Sequence, residues 1–328
     1  MHGPVRPRVV VSECLGFAAV RYNGQILRSR FVDALREHVE FVQVCPEVGI
    51  GLGVPRDPIR VVEAPSGDAR ERRLVQPSTD RDLTEDMRSF SAGFLGRQDG
   101  AVDGFILKSK SPSCGISDAK IMSGPDEGSP TLGRGPGLFA EAVQDRFGWA
   151  AVEDEGRLTN LRIRHHFLTK LWAMARLRRV SESGAISGLV GFHTRYKLLL
   201  MSYHQERVRE LGRIVANPDG RPFRELASDY RAALGVALAE PADPGNVVNA
   251  LQHAFGYISD ELDAQERRYF LELLSRFREG TLPLPALLAV LQSWVVRFRE
   301  GYLDAQRLFL PYPRDLFDLH SSGSGHLV

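Results

Sequence analysis

The chain has 328 residues, of which 43% are hydrophobic and 25% charged, and a formal net charge of +1. It is long enough for two domains and a sizeable core, and its composition is that of an ordinary soluble protein. No apolar run approaches the ~20 residues that span a bilayer and no signal-type apolar region follows Met1, so no membrane partner and a cytoplasmic location are expected.

Three cysteines, with no CxxC pair, argue against a disulfide framework and for reduced thiols. The small net charge hides segregation. Residues 1–156 carry 19 Lys/Arg and 23 Asp/Glu, residues 157–224 carry 14 and 4, and residues 225–310 carry 8 and 12. The basic middle segment reads either as a polyanion-facing surface or as solvated helix faces.

In chain order, Val9-Val10-Val11 is a β-branched run that ends at Ser12-Glu13-Cys14. A helix is predicted near 29–38, followed by a strand over 39–44 that ends directly at Cys45. Residues 59–63 read as a third strand, 84–98 as an amphipathic helix, and 105–107 as a fourth strand running into the Cys114 loop. A helix over 138–147 and a strand near 149–153 complete the unit. Short apolar strands alternating with helices predict an α/β N-terminal domain with a mainly parallel, doubly wound sheet of the Rossmann or flavodoxin kind.

After about residue 157 the strand signals stop, and an all-α bundle is expected. The first helix covers 159–179, with Arg162, His166 and Lys170 pointing away from its apolar face. A second covers 189–213, with a stripe of Leu189, Phe192, Tyr196, Leu199 and Tyr203. Further helices are expected at 224–238, 246–262, 264–279 and 284–308, several starting at prolines. The Ser/Gly tail at 321–325 reads as flexible. The expected organisation is a domain over 1–158, a connecting helix over 159–180 and a helical domain over 181–328.

Cys14, Cys45 and Cys114 each follow the carboxyl end of a predicted strand, where open α/β sheets bind ligands. Three distant thiols would thereby meet at one sheet edge and could hold an iron–sulfur cluster with one iron free of protein thiolate. Cys₃ zinc ligation and simple burial of apolar thiols remain alternatives. Glu47, two residues after Cys45, is the nearby acid–base candidate, or else a helix cap. Ser111 and Ser113 flank Pro112 in a turn and could donate hydrogen bonds to an anion; Ser113 is expected to shape the turn and no more.

Three blocks carry a resemblance: Ser12-x-Cys14-Leu15-Gly16 with Arg21-Tyr22-x-Gly24, Cys45-Pro46-Glu47-Val48 through Pro55-Arg56, and Lys108-Ser109-x-Ser111-Pro112-Ser113-Cys114-Gly115. In this order over residues 8–155 the chain resembles the TudS thiouracil desulfidase family. The second half resembles the YbgA-type helical domain through Phe192-His193 with Lys197-Leu198-Leu199-Leu200-Met201, His253 with Gly256-Tyr257, and Gln306 followed by Pro311-Tyr312-Pro313. The pairing is similar to the RudS-type tRNA 4-thiouridine desulfidases.

The resemblance implies a [4Fe-4S] cluster ligated by Cys14, Cys45 and Cys114 with one open iron, and Glu47 and Ser111 as catalytic residues. It implies non-redox removal of sulfur as hydrogen sulfide from 4-thiouridine in thiolated tRNA. Arg162, Lys170, Arg178, Arg179, Arg195, Lys197, Arg207, Arg209 and Arg213 are the expected RNA-binding residues, and no protein partner is evident. Free 4-thiouracil or thionucleosides are the alternative substrates, and a non-enzymatic RNA-binding iron–sulfur sensor is the alternative class.

Overall fold

The structure, a computed structural model, describes residues 5–63, 72–126 and 128–318; the tail at 321–325 lies outside them. The chain divides into two compact units, one made of Met1–Phe167 with Asp318–Val328 and one of Leu168–Phe317.

The first unit runs through β1 (Arg8–Ser12), α1 (Arg30–Leu35), β2 (Glu40–Val44), α2 (Pro46–Gly49), β3 (Arg60–Glu63), β4 (Arg72–Gln76) and β5 (Arg81–Asp82). It continues with α3 (Thr84–Gly96), β6 (Gly104–Leu107), β7 (Ala119–Met122), β8 (Thr131–Gly135), α4 (Leu138–Arg146) and β9 (Ala151–Asp154). Four strands form an all-parallel sheet in the order β2-β1-β6-β9. The apolar residues of its central strands are buried: Val9, Val10, Val11, Phe105, Ile106 and Leu107 are all 0% exposed. That is why they read as unbroken apolar runs rather than as alternating patterns. The α/β class with a parallel sheet is as expected.

The third strand is a correction. Residues 59–63 were expected in the parallel sheet, but β3 sits in a second, five-stranded mixed sheet ordered β5-β4-β3-β7-β8. There β3 pairs parallel with β7 and antiparallel with β4. The partners β4 and β8 were invisible in sequence because Arg72-Arg73-Leu74-Val75-Gln76 and Thr131-Leu132-Gly133-Arg134-Gly135 hold no apolar run.

The division between the units falls inside α5 (Leu161–Ser183). The second unit then contains α6 (Ile186–Tyr203), α7 (Gln205–Ala216), α8 (Phe223–Ala237), α9 (Pro244–Gly256), α10 (Ala264–Arg278), α11 (Leu284–Phe298) and α12 (Gly301–Asp304). A final turn, α13 (Asp315–Asp318), ends the description. α6 packs on α7, α8 and α9, burying the predicted stripe: Leu189, Phe192, Tyr196, Leu199 and Tyr203 are all 8% exposed or less. The helix expected over 189–213 is two helices, broken where His204 turns extended at φ −159. The one expected over 284–308 also breaks, at Arg299, which adopts a left-handed conformation with φ 56. Among the described residues no helix is long and apolar enough to cross a membrane.

Candidate functional site

In a parallel sheet all strands point the same way, so the segments following them gather at one edge. Here the chain passes from β1 outward to β2, and later from β6 outward to β9, so connections diverge between β1 and β6. Cys14 lies just beyond β1, Cys45 directly after β2 as the N-cap residue of α2, and Cys114 in the loop after β6. All three line one cavity of about 560 Å³ together with Glu47, Ser111 and Ser113.

The thiols are free and half-buried to buried. Burial first, and then the charge of Cys45, push the Cys14 thiol up to about 12. Burial raises Cys45 as well, and burial followed by the charges of Cys14 and Cys45 raises Cys114 against a hydrogen bond from Ser12. Burial and mutual proximity thus disfavour the thiolate, the ligating form, in this set. Among the described residues no three His, Cys, Asp or Glu side chains are arranged to hold a single metal ion. Three thiolates are soft donors, the ligand type that both iron–sulfur groups and zinc take.

Beside the thiols stands an acid held at both oxygens. Glu47 lies in the first turn of α2, behind Pro46, whose fixed φ suits that position. Its Oε2 accepts from Arg56 Nη2 at 2.6 Å and Nε at 2.8 Å, an ion pair whose side chains are 13% and 5% exposed. Its Oε1 accepts from Ser113 Oγ at 2.7 Å and, more distantly, from Ser111 Oγ at 3.4 Å. The two hydroxyl oxygens are 3.0 Å apart. Ser111 Oγ accepts the Ser113 and Cys114 amide protons at 3.2 and 3.1 Å, so its own proton faces Glu47 and the Ser113 hydroxyl.

Ser113 thus corrects the sequence reading. It is fully buried and bonded to Glu47, while Ser111 also takes on the turn-shaping work expected of Ser113. Arg56 was missed as a site residue. Its signal was present: a basic residue nine positions after the acid, inside the same sequence block.

The Cys114 loop is seated on the start of α4. Gly137 N–H donates to the Gly115 carbonyl at 2.8 Å, Leu138 N–H to Pro112 at 3.2 Å and Ala140 N–H to Ser113 at 3.0 Å. These loop carbonyls satisfy helix N–H groups that lack an intrahelical partner. A Cβ at Gly137 would meet the Pro112 carbonyl oxygen at 2.6 Å, so glycine is required by contact. On the other side Lys108 is ion-paired with Glu155, which follows β9. Glu155 also accepts from the Ser109 hydroxyl and amide, each at 2.8 Å. Every parallel strand therefore delivers a side chain to the same edge.

The expected RNA-binding residues are distributed as follows. Arg162 is exposed on the part of α5 that lies in the first unit. In the second unit Arg179, Arg195, Lys197, Arg209 and Arg213 are exposed. Arg178 is ion-paired with Glu182 at 3.0 Å and Arg207 with Glu210 at 2.7 Å. Lys170 is a correction: it is only 7% exposed, and burial lowers its pKa to about 8 against the pull of Glu240. It is not available to a polyanion.

Two family models match the chain: one described as 2-thiouracil desulfurase, over residues 9–155, and one described as a protein of unknown function, DUF1722, over residues 197–313. Among curated proteins the chain is 32% identical over 158 residues to the uncharacterized protein YbgA of Escherichia coli K12, covering 48% of this chain and 93% of that protein. It is 30% identical over 129 residues to the uncharacterized protein YbbK of Bacillus subtilis 168, covering 39% of this chain and 84% of that protein. Among solved structures it is similar to a [4Fe-4S]-dependent thiouracil desulfidase, TudS, at 29% identity and TM-score 0.38, over 49% of this chain and 98% of that one.

Proposed function

The chain belongs to the 2-thiouracil desulfurase family, joined to a YbgA-type helical domain, and from that premise we propose that it removes the sulfur of 4-thiouridine in tRNA. The reaction is hydrolytic and transfers no electrons: one water enters, C4 exchanges sulfur for oxygen, and uridine and hydrogen sulfide leave. The observation that carries this reading is the shared cavity, where three thiols face an acid anchored at both oxygens.

Cys14, Cys45 and Cys114 would hold a [4Fe-4S] cluster. When bound, it supplies a soft, Lewis-acidic iron suited to the sulfur that must leave. The chain's own residues supply the rest. Arg56 fixes Glu47 through Oε2, which leaves Oε1 facing the two serine hydroxyls. At Oε1 Glu47 takes a proton from the attacking water as general base. Ser111, its oxygen occupied by two backbone amides, can only donate, and steadies the base or passes a proton to it. Ser113 keeps Oε1 oriented throughout.

The basic excess over residues 157–224 supports RNA as the carrier of the base, because a phosphate backbone needs a positive surface. A base inside folded RNA must also be extruded to reach such a cavity. The decisive comparison is turnover by anaerobically reconstituted protein on thiolated tRNA, 4-thiouridine nucleotide and free 4-thiouracil. The expected result is the highest kcat/KM on thiolated tRNA. Higher efficiency on the free base would replace tRNA with a small-molecule substrate. RNA binding without turnover of any of the three would favour a sensor.

A further inference from the structure

The strongest uncommitted feature of the second unit is where residues 306 and 307 dock on α6. Gln306 is 2% exposed. Its Oε1 accepts the Leu198 amide proton at 3.2 Å, and its Nε2 donates to the Thr194 carbonyl at 2.8 Å. Those two backbone groups are four residues apart, the pair that an uninterrupted α-helix joins to each other. The glutamine amide therefore engages the helix ladder itself, and Arg307 N–H adds a bond to the Arg195 carbonyl at 2.8 Å.

This docking brings Arg307 beside Arg195. Arg176 of α5 reaches the same place, donating to the Tyr196 hydroxyl at 2.8 Å and to the Pro311 carbonyl at 2.5 Å. Burial depresses the Arg307 pKa, and the charges of Arg176 and Arg195 depress it further. Arg178, Arg207, Arg221 and Arg297 of this unit each have a carboxylate partner. Among the described residues no carboxylate forms an ion pair with Arg176, Arg195 or Arg307. Two half-buried guanidinium groups beside an exposed one, with no carboxylate paired to any of them, cost stability that a bound anion would offset.

We propose that Arg176, Arg195 and Arg307 form a phosphate site that clamps one phosphodiester of the RNA backbone. This deepens the tRNA reading and rests on it. Guanidinium is the side chain suited to the task, since its planar fork meets two phosphate oxygens at once. Arg195 is exposed and meets the phosphate first; the Arg176 guanidinium is held by the Pro311 carbonyl, and the Arg307 backbone is anchored on the Arg195 carbonyl. Gln306 acts as the positioning residue that holds Arg307 against α6.

The test uses the full chain and an unthiolated tRNA transcript, so that neither cluster nor turnover is needed. Affinity is measured from 50 to 300 mM salt for wild type, Arg195→Gln, Arg195→Lys and Arg307→Gln, each checked for fold by circular dichroism. The expected result is a Kd raised about tenfold in each glutamine variant, as one charge-assisted contact is worth. The slope of log K against log salt should fall by about one, with Arg195→Lys close to wild type in slope. Unchanged Kd and slope in Arg195→Gln, an exposed position that needs no repacking, would overturn the proposal. So would inorganic phosphate that stabilises wild type but not the variants while tRNA affinity stays equal in all, since the site would then take a small phosphate. If tRNA binding depends on these arginines but thiolated tRNA is not turned over, the phosphate site stands and the desulfidase reading fails.

Discussion

Ser113 Oγ lies 2.7 Å from Glu47 Oε1, closer than Ser111 Oγ at 3.4 Å, and Ser113 is fully buried. The two serines are therefore separable by measurement. Ser113→Ala removes a buried hydrogen bond to a charged group and should cost about 1.5–3 kcal/mol of stability. Ser111→Ala should lower kcat more than it lowers stability, because its hydroxyl holds Glu47 by the longer and weaker contact and is the readier of the two to turn to substrate. Denaturant unfolding read beside steady-state kinetics checks the split. Equal effects on both quantities in both variants would refute it.

Glu47→Gln keeps the side-chain shape but turns one accepting oxygen into a donor and removes the base, so kcat should fall by about 10²–10⁴-fold while cluster absorbance is retained. Arg56→Met leaves a buried carboxylate without its partner, and stability should drop by about 3–5 kcal/mol. Combining the two should recover part of that loss. Additivity in the double-mutant cycle would show that the pair is not coupled.

Replacing Cys14, Cys45 or Cys114 singly by Ser should abolish the brown absorbance of anaerobically reconstituted protein, because each would contribute one of the three thiolates. Full incorporation in any one variant removes that cysteine from the ligand set.

Gly137→Ala places a methyl group against the Pro112 carbonyl and the Ser113 backbone, both at 2.6 Å. Backbone cannot yield as a flexible side chain does, so the Cys114 loop must lift from α4. A lowered Tm, by about 1–3 kcal/mol in stability, together with weakened cluster retention is expected. A wild-type Tm would show that the loop is not seated there.

Lys170 gives a pH dependence of definite sign. Its pKa falls from 10.5 to about 8 on folding, chiefly through burial. Between those values the unfolded chain binds the proton and the folded chain does not, so stability rises with pH across that window, by at most about 1.4 kcal/mol per unit. Lys170→Met should be more stable than wild type at pH 7 and flatter from pH 8 to 10. Chemical denaturation at three pH values checks both.

The parallel sheet and the three cysteines were legible because Val9-Val10-Val11 and Phe105-Ile106-Leu107 are buried on both faces and each leads toward a cysteine. The mixed sheet was not, since its strands pair through backbone with side chains that are largely polar or exposed. Lys170 shows a different limit. Helical angles set it apart from Leu168 and Leu171, but residues 167–175 are buried all round, so α5 has no solvent face there. The angle between side chains was right, yet a helical wheel cannot say whether a second layer of helices covers the far side. Glu47 was found from its place beside Cys45. Its bond to Ser113 crosses 66 positions of sequence and leaves no local pattern.

The Gln306 amide in the middle of α6 has a consequence for the end of the chain. Leu198 N–H and Thr194 C=O find partners in a segment more than a hundred residues downstream. Local opening of residues 301–308 would release a central amide of α6, not a frayed terminus. Hydrogen exchange at Leu198 would then report detachment of the C-terminal segment, and shortening the chain before Gln306 would loosen a helix in the interior of the unit.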